Sequence, residues 1–282
     1  MPLVYGCIAP HGGELIPALA GRKGEAFSPT RKGMRAIANQ MQEAKPDTIV
    51  VATPHNLRLL KHIGVVLSEN MSGTLSEGDA SVTLRARCDQ GLGKRVVSMA
   101  ERRGLPVVGA NFGALEGPMS DLAMDWGTLV PLWFFGRRRK CRVLVVTPSR
   151  GLPLAQNLEF GKVVAHAAEE ARERIAFVAS ADQAHAHLRD GPYGYSPRAK
   201  EYDQLVIDAI SGNSLASIMR MSRDLVEAAK PDSLWQMSML AGALEVVKMD
   251  PELLSYQVPT YYGMLCASFE PAHLKRDRAG SP

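Results

Sequence analysis

Residues 4–13 have the sequence Val-Tyr-Gly-Cys-Ile-Ala-Pro-His-Gly-Gly, and residues 48–56 have the sequence Thr-Ile-Val-Val-Ala-Thr-Pro-His-Asn. Both stretches begin as near-continuous apolar runs, which predict the buried strands of an α/β protein. Each run ends in proline followed by histidine, so His11 and His55 are placed at strand ends, where α/β proteins build their sites. A pair of imidazoles in such positions predicts a site for a divalent metal ion.

The composition is that of an ordinary globular protein. The chain has 282 residues, of which 46% are hydrophobic and 22% charged, and its formal net charge is +4. The one dense basic run, Arg137-Arg138-Arg139-Lys140, is predicted to be a solvated turn, and no nucleic-acid partner is expected. No apolar stretch reaches the roughly 20 residues of a membrane span. Without a secretory leader or a CxxC motif, we expect a cytoplasmic protein with reduced cysteines.

Strand-like and helical segments alternate along most of the chain. Strands are predicted at residues 4–9, 48–53, 63–67, 105–110, 142–147, 175–180 and within 256–268, and helices from residue 28 and at 92–103, 154–174, 197–210, 214–229 and 233–247. Apolar strands between helices predict one α/β domain over residues 1–272, with a mostly buried central sheet flanked by helices on both faces. Residues 273–282 are predicted to be a flexible tail. The functional loops should gather along one edge of the sheet.

A third histidine-bearing loop follows the strand predicted at 175–180. The loop has the sequence Ala-Asp182-Gln-Ala-His185-Ala-His187. Three such loops at one sheet edge would bring three or four imidazoles together. Neutral imidazoles bind Fe(II), Zn(II) and Mn(II), and one that is not a ligand can move protons at pH 7.

Residues 120–132, Ser-Asp-Leu-Ala-Met-Asp-Trp-Gly-Thr-Leu-Val-Pro-Leu, form a further candidate segment. Acidic residues precede a glycine and then an apolar run, so the segment could be a pocket wall in which Asp125 acts as a catalytic group. A turn-forming aspartate before a strand or helix fits the same spacing, and both interpretations stay open here.

These segments together resemble the class III extradiol ring-cleavage dioxygenases, the family of the catalytic (LigB-like) subunit of protocatechuate 4,5-dioxygenase, which is related to the Memo proteins. The resemblance runs through most of the chain. It rests on the order and spacing of Ala9-Pro10-His11-Gly12, Thr53-Pro54-His55, Asp125-Trp126-Gly127-Thr128-Leu129-Val130-Pro131-Leu132, Ala179-Ser180-Ala181-Asp182-Gln183-Ala184-His185 and Leu240-Ala241-Gly242-Ala243-Leu244.

The resemblance implies a ferrous ion, with Mn or Zn as alternatives, held by two histidines and one glutamate. His11 and His55 would be the imidazole ligands. The family glutamate falls where this chain has Pro231-Asp232, so Asp232 is the nearest carboxylate; it could equally be an ordinary helix N-cap. Aspartate is one methylene shorter and would need a backbone shift or a bridging water, and Glu14 is a less favoured substitute.

The resemblance also implies the remaining site residues. His185 would be the acid/base residue, because the family pattern is a strand followed by Ser-Gly-Asp-x-x-His, and His187 would be its neighbour. Trp126 stands where many relatives have a histidine that helps to bind substrate or dioxygen. We expect the substrate pocket to contain Trp126, Tyr193 and Tyr195, together with the Tyr261-Tyr262 pair.

The leading hypothesis is a non-haem Fe(II)-dependent extradiol dioxygenase that inserts O2 into a catechol-like or aminophenol-like ring. The expected partners are a small aromatic substrate and O2, with a homo-oligomer or a small companion subunit as the possible assembly. Two alternatives stay open: a Memo-like metal-binding protein without ring-cleavage activity, and a zinc-dependent hydrolase that uses the same imidazoles.

Overall fold

The computed structural model describes residues 2–135 and 141–272. The basic run Arg137–Lys140 and the expected tail at 273–282 lie outside these ranges. The strands are β1 (Leu3–Ala9), β2 (Thr48–Ala52), β3 (Ile63–Val66), β4 (Asn70–Glu77), β5 (Ala80–Arg87), β6 (Val107–Ala110), β7 (Asp121–Ala123), β8 (Arg142–Thr147), β9 (Ile175–Ser180), β10 (Asp250–Gln257) and β11 (Met264–Glu270). The α-helices are α1 (Ser28–Ala44), α2 (Gln90–Arg102), α3 (Trp126–Phe135), α4 (Leu154–Ala171), α5 (Arg198–Ser211), α6 (Arg223–Ala229) and α7 (Leu234–Val246). Short 3-10 helices span Gly13–Leu15, Pro17–Leu19, Gly21–Phe27 and Leu215–Arg220.

A mixed eight-stranded sheet has the order β10-β11-β1-β9-β2-β8-β3-β6. Its four central strands, β1, β9, β2 and β8, all run parallel to one another. The carboxyl ends of parallel strands meet at the same sheet edge, so the loops after β1, β2, β8 and β9 lie side by side. This arrangement decides which side chains can form a site.

Both faces of the large sheet are buried, which confirms the predicted architecture. On one face, α2, α4, α5 and α7 share a hydrophobic cluster with one set of strand side chains, such as Val50 and Ala52 of β2. On the other face, α1 and α3 pack against the alternate set, such as Ile49 and Val51. The apolar runs in the sequence are continuous because successive strand residues point to opposite faces of the sheet, and helices shield both faces from solvent.

A second sheet was not predicted from the sequence. Strands β5, β4 and β7 form a small three-stranded sheet, in which β4 and β5 are an antiparallel hairpin. Two residues, Gly78 and Asp79, join the hairpin, and Gly78 has a φ of +56°. A Gly-Asp pair between two strands is a recognised hairpin signal, because glycine adopts the positive φ that a tight turn requires.

The helix predicted at 214–229 is wrong as a single element. The structure has a 3-10 helix at Leu215–Arg220, then a break, and then α6. The Ser222 side chain accepts a hydrogen bond from the Leu225 backbone N–H, so Ser222 is the N-cap of a new helix. The other predicted helices agree with the structure to within a few residues, and so do the predicted strands of the large sheet except the last. The range predicted at 256–268 contains most of β11, whereas β10 begins six residues before it. Within the described ranges, no helix has both the length and the apolar character that crossing a membrane requires.

Candidate metal centre

His11 and His55 lie beside each other at the carboxyl edge of the parallel strands. β9 pairs with both β1 and β2, so the two Pro-His junctions flank the end of one common strand. The Nε2 atoms of the two imidazoles are 3.0 Å apart. His11 is buried and His55 is partly buried, so both rings turn inward from the sheet edge.

Asp232 completes a three-residue cluster. Its Oδ2 atom lies 3.3 Å from Nε2 of His11 and 3.3 Å from Nε2 of His55. Its Oδ1 accepts a hydrogen bond from the backbone N–H of Asp182 at 3.1 Å. The N-cap of α7 is Ser233, so the interpretation of Asp232 as an ordinary helix cap does not hold. The carboxylate reaches both imidazoles directly in spite of its short side chain.

The spacing of these atoms fits a first-row divalent cation. Metal–nitrogen and metal–oxygen bonds of about 2.1 Å place neighbouring ligand atoms about 3.0–3.4 Å apart in octahedral or tetrahedral geometry. The three observed separations, 3.0, 3.3 and 3.3 Å, agree with this range. Two imidazoles and one carboxylate on a common face are the donor set of non-haem Fe(II) sites with open positions.

The hydrogen bonds behind His11 fix its tautomer. The Ser180 hydroxyl donates its single proton to the Gly127 carbonyl oxygen at 2.5 Å. Ser180 Oγ therefore has to accept from Nδ1 of His11, which lies 3.0 Å away. With the proton on Nδ1, the neutral ring presents the lone pair of Nε2 toward the cluster, as a metal ligand must.

Asp182 is a fourth member of the site, and no role was predicted for it from the sequence. Its Oδ1 accepts from the His11 backbone N–H at 3.0 Å, and its Oδ2 lies 3.3 Å from His11 Nε2. Asp182 follows β9 by two residues within the quoted Ser180–His185 motif, so its position in that motif was the available signal.

The charges of the cluster depend on one another. Burial lowers the pKa of His11, but the nearby charges of Asp182 and Asp232 outweigh burial and raise it to about 9. Burial acts to raise the pKa of Asp232, but the charge of His11 and hydrogen bonds from His11 and His55 lower it well below its usual range. Burial raises the pKa of Asp182 to about 7, against the opposing charge of His11. Asp232 is therefore ionised at neutral pH, and the metal-free His11 ring carries a second proton that a metal ion would have to displace.

His185 lies beside the cluster. A nitrogen of its ring and carboxylate oxygens of Asp182 and Asp232 all lie within 4.8 Å of one another. Its Nδ1 is 3.0 Å from the Gln183 carbonyl oxygen, which can only accept, so Nδ1 carries the proton and Nε2 is a free base. Burial lowers the pKa of His185, which keeps the ring neutral at pH 7.

His187 is held outside the cluster. Its Nε2 lies 2.8 Å from Oδ2 of Asp203, and the same carboxylate oxygen accepts from the Tyr256 hydroxyl at 2.7 Å. Asp203 Oδ1 also accepts from the Ala184 backbone N–H. His187 and Asp203 therefore fix the shape of the loop that presents His185.

Asp125 has the turn-forming role that the sequence left open. It accepts hydrogen bonds from Thr53 Oγ1, from the amide of Asn56, and from both the backbone N–H and the hydroxyl of Thr128. These contacts tie the first turn of α3 to the loop that carries His55. Asp125 is not among the residues that line the cavity described below.

Trp126, the first residue of α3, stacks on His55. The ring centroids are 4.1 Å apart and the planes are inclined by 27°. The indole thus buttresses a candidate ligand and also borders the cavity. Trp126 therefore places an aromatic ring against His55, where the family resemblance implied a histidine in many relatives.

A cavity of about 910 Å³ opens over the cluster. Its walls include the predicted pocket residues Trp126 and Tyr193, as well as Tyr261 and Tyr262. The ring of Tyr262 stacks on His185 at a centroid distance of 5.2 Å, and its hydroxyl donates to Glu14 at 2.6 Å.

The structure places Tyr195 and Glu14 apart from the ligand cluster. Tyr195 is 59% exposed and does not line the cavity, so the structure does not bring it together with Trp126 and Tyr193. Tyr195 instead forms a β-bridge with His187. Glu14 lines the cavity, but its carboxylate accepts a hydrogen bond from Tyr262 and lies outside the candidate cluster, where the structure places Asp232 beside the two imidazoles.

The fold and the cluster define a class: an α/β protein with a candidate two-histidine, one-carboxylate metal site at the carboxyl edge of its parallel strands. Residues 5–265 match the family described as the catalytic LigB subunit of aromatic ring-opening dioxygenase, and the chain belongs to this family.

Two similar proteins extend the comparison. Protein CA_C1420 of Clostridium acetobutylicum is 26% identical over 251 residues, which cover 89% of this chain and 54% of that protein. The chain therefore spans about half the length of this relative. The crystal structure of the uncharacterized protein JW3007 from Escherichia coli K12 superimposes with a TM-score of 0.61 at 16% identity, over 94% of this chain and 99% of that chain. This second likeness is one of fold.

Proposed function

We propose that this protein is a non-haem Fe(II)-dependent extradiol dioxygenase that cleaves a catechol-like or aminophenol-like ring with O2. The observation that carries the proposal is the convergence of His11, His55 and Asp232 at 3.0–3.3 Å beside a neutral histidine and an aromatic-walled cavity. Membership of the LigB family supports the same reaction class. Both atoms of O2 enter the ring-opened product, so the reaction needs no external reductant.

The donor set determines what a bound ion would supply. A ferrous ion held by the three residues would offer open positions to both the ring oxygens and dioxygen, which places the two reactants next to each other. Ser180 keeps the His11 tautomer that such binding requires, and Trp126 restrains the plane of His55.

His185 is the proton carrier in this proposal. Its neutral ring presents Nε2 as a base, which accepts the proton of a ring hydroxyl as the substrate binds. The same nitrogen later returns the proton to the ring-opening product. Because the Gln183 carbonyl holds the other nitrogen, His185 can exchange this proton without a change of tautomer.

The cavity walls suit a planar substrate. Trp126, Tyr193 and Tyr261 provide aromatic surfaces, and Tyr262 fixes His185 by stacking. Aromatic rings favour offset or edge contacts with one another, so these walls orient a ring while they exclude water.

The test is oxygen uptake and metal content measured on one set of variants. Full-length protein loaded anaerobically with Fe(II) is mixed with a panel of catechols and aminophenols. We expect wild-type protein to consume O2 and to release a ring-opened, absorbing product. The His185→Gln variant should keep its iron and lose turnover by about 100-fold or more, the usual range for a general base. The His11→Ala variant should lose the iron itself.

A Memo-like metal-binding role is the second candidate. The observation that favours it is Trp126, which fills the position of a substrate-binding histidine in many relatives. Full iron occupancy without oxygen uptake across the panel would favour this candidate. Zinc as the bound metal, together with activity that survives without oxygen, would instead indicate hydrolysis.

A further inference from the structure

Two arginines reach the cavity from the loops that form the metal cluster. Arg58 lies three residues after His55 in the loop that follows β2, and Arg150 lies three residues after the end of β8. β2 and β8 are adjacent parallel strands, so both loops leave the sheet at the same edge. Both arginines line the cavity over His11 and His55.

These two arginines lack the acidic partners that arginines on protein surfaces usually find. Among residues 2–135 and 141–272, no carboxylate oxygen lies within 4.0 Å of either guanidinium group. Arg223, in the same cavity wall, differs: its Nε donates to Glu227 at 2.6 Å. The charges of Arg58 and Arg150 are therefore available to a ligand, whereas that of Arg223 is already neutralised.

Arg150 is held in place by an aromatic ring and not by a carboxylate. Its guanidinium carbon lies 4.6 Å from the centre of the Trp235 ring, a contact that orients the planar group. Burial lowers the pKa of Arg150, the charge of Asp232 opposes this effect, and the charge of Arg58 lowers it further. Both guanidinium groups thus bring positive charge to one cavity, and a bound anion would offset that charge.

The adjoining helix adds to the positive character of this wall. Leu152, Pro153 and Leu154 line the cavity, and Leu154 begins α4, which has 18 residues. No side chain caps the N-terminus of α4, so its first backbone N–H groups are not satisfied by a cap.

We propose that Arg58 and Arg150 form a subsite for an oxyanion, a carboxylate or a phosphate, carried by the aromatic substrate at the end opposite its metal-binding oxygens. The inference rests on the proposed ring-cleaving function for the identity of the aromatic part. A cavity of about 910 Å³ has room for a ring together with such a substituent. Arginine suits this task because its fork matches the geometry of carboxylate and phosphate oxygens.

The experiment measures binding by calorimetry under anaerobic conditions. The probes are 4-methylcatechol, 3,4-dihydroxybenzoate and 3,4-dihydroxyphenyl phosphate, together with benzoate and inorganic phosphate alone. We expect the anionic catechols to bind wild-type protein more tightly than 4-methylcatechol. The Arg58→Gln and Arg150→Gln variants should each weaken the anionic catechols by about 10- to 100-fold, the worth of a charged hydrogen bond, and change 4-methylcatechol by less than about threefold.

Arg223→Gln is the matched control. It removes one positive charge from the same cavity wall, but that charge belongs to an arginine that already forms an ion pair with Glu227. We expect it to change anion binding by less than about threefold. Equal losses of anion affinity in all three Gln variants would mean that the anion responds only to the overall positive charge of the cavity. This result would overturn the proposed subsite. Arg150→Lys keeps the charge but loses the fork, so partial recovery relative to Arg150→Gln supports direct contact.

The outcomes separate this inference from the proposed function. Benzoate or phosphate binding that depends on Arg58 and Arg150, without oxygen uptake from any catechol, would support the subsite and reject ring cleavage. Turnover with neutral and anionic catechols bound equally well would support ring cleavage and reject the subsite. The stronger of the carboxylate and phosphate probes identifies the chemical source of the oxyanion.

Discussion

At the scale of single residues, Ser180 does more for the candidate metal centre than its small side chain suggests. Its hydroxyl donates to the Gly127 carbonyl and accepts from His11 Nδ1, so it joins β9 to the first turns of α3 and sets the tautomer of a candidate ligand. Groups of this kind hold a ligand ring in the orientation that a metal needs, and their removal usually costs about 10- to 100-fold in metal affinity.

Ser180→Ala should therefore weaken metal binding by about 10- to 100-fold while the protein stays folded. Titration of metal-free protein with Mn(II) or Zn(II) against a competing chelator measures the effect. Ser238→Ala is the control, because Ser238 is also buried but bonds to the Leu234 carbonyl within α7. An affinity that is the same in both variants would contradict the tautomer argument.

Asp232 is where this chain departs from the family glutamate. Its Oδ2 is already 3.3 Å from each imidazole Nε2. An added methylene, about 1.5 Å long, would carry the carboxylate past the position that an ion bound by both imidazoles would take. We expect Asp232→Glu to lower metal affinity by about tenfold and Asp232→Asn, which removes the charge, by more than about 100-fold. Glu14→Gln should leave the affinity unchanged. Tighter metal binding by Asp232→Glu would contradict this argument, because it would show that the aspartate side chain is too short for the site.

The site residues fall into two groups according to how well the sequence predicted them. His11 and His55 were predicted from their strand-Pro-His junctions, whereas Asp232 and the role of His185 were predicted from the family resemblance. The place of Asp182 and the supporting role of Ser180 depend on β9 lying between β1 and β2, an order that no local pattern specifies. The same order brings β8, and with it the loop of Arg150, to the cluster.

At the scale of elements, α4 and α7 pack with their backbones in close contact. A Cβ atom added at Gly161 of α4 would collide with the Met239 carbonyl oxygen of α7, and one added at Gly242 of α7 would collide with the Leu158 carbonyl oxygen of α4. The two glycines thus let each helix rest on the backbone of the other. This packing explains the Leu-Ala-Gly-Ala-Leu motif of α7 in physical terms.

Gly242→Ala should destabilise the protein by about 1–3 kcal/mol or more, because backbone atoms cannot move aside as a side chain can. Chemical denaturation measures the loss. Gly91→Ala in α2 is the matched control, since its nearest foreign atom would be Asp89 Oδ1 at 3.6 Å and alanine is a better helix former. We expect the control to be neutral or slightly stabilising. Similar losses in both variants would argue against the close helix contact.

The hairpin of β4 and β5 and the break before α6 were missed for different reasons. The hairpin of β4 and β5 alternates exposed and partly buried residues, and much of its polar surface faces solvent. It therefore lacks the continuous apolar runs that marked the central strands. The break before α6 was not predicted because the 3-10 helix and α6 both carry apolar residues at helical spacing. Only the N-cap at Ser222 separates the two helices.

At the scale of the whole molecule, the candidate metal centre links strands from both halves of the sheet. Its residues follow β1, β2 and β9 and precede α7, and Gln236 of α7 donates to the Ser180 carbonyl oxygen at 2.9 Å. A ligand that binds only the folded protein stabilises it by mass action, by about 2.7 kcal/mol at a concentration 100 times the dissociation constant. For a chain of this size, that corresponds to a rise in Tm of about 5 °C.

The size of this metal-induced stabilisation should depend on pH, because a proton competes for His11. The folded, metal-free protein raises the pKa of His11 from 6.5 to about 9, so proton binding stabilises it fully below pH 6.5 and this contribution is lost as the pH rises through 9. A metal has to displace that proton. The increase in Tm caused by Mn(II) should therefore grow steadily from pH 6 to pH 8.5, as thermal unfolding with and without the ion would measure.

The control is His11→Ala, which removes both the competing proton and the ligand, so its Tm should not respond to Mn(II) at any of these pH values. A wild-type increase that is equal at pH 6 and pH 8.5 would show that His11 does not exchange its proton for the metal, and the charge coupling between His11, Asp182 and Asp232 would then need a different explanation.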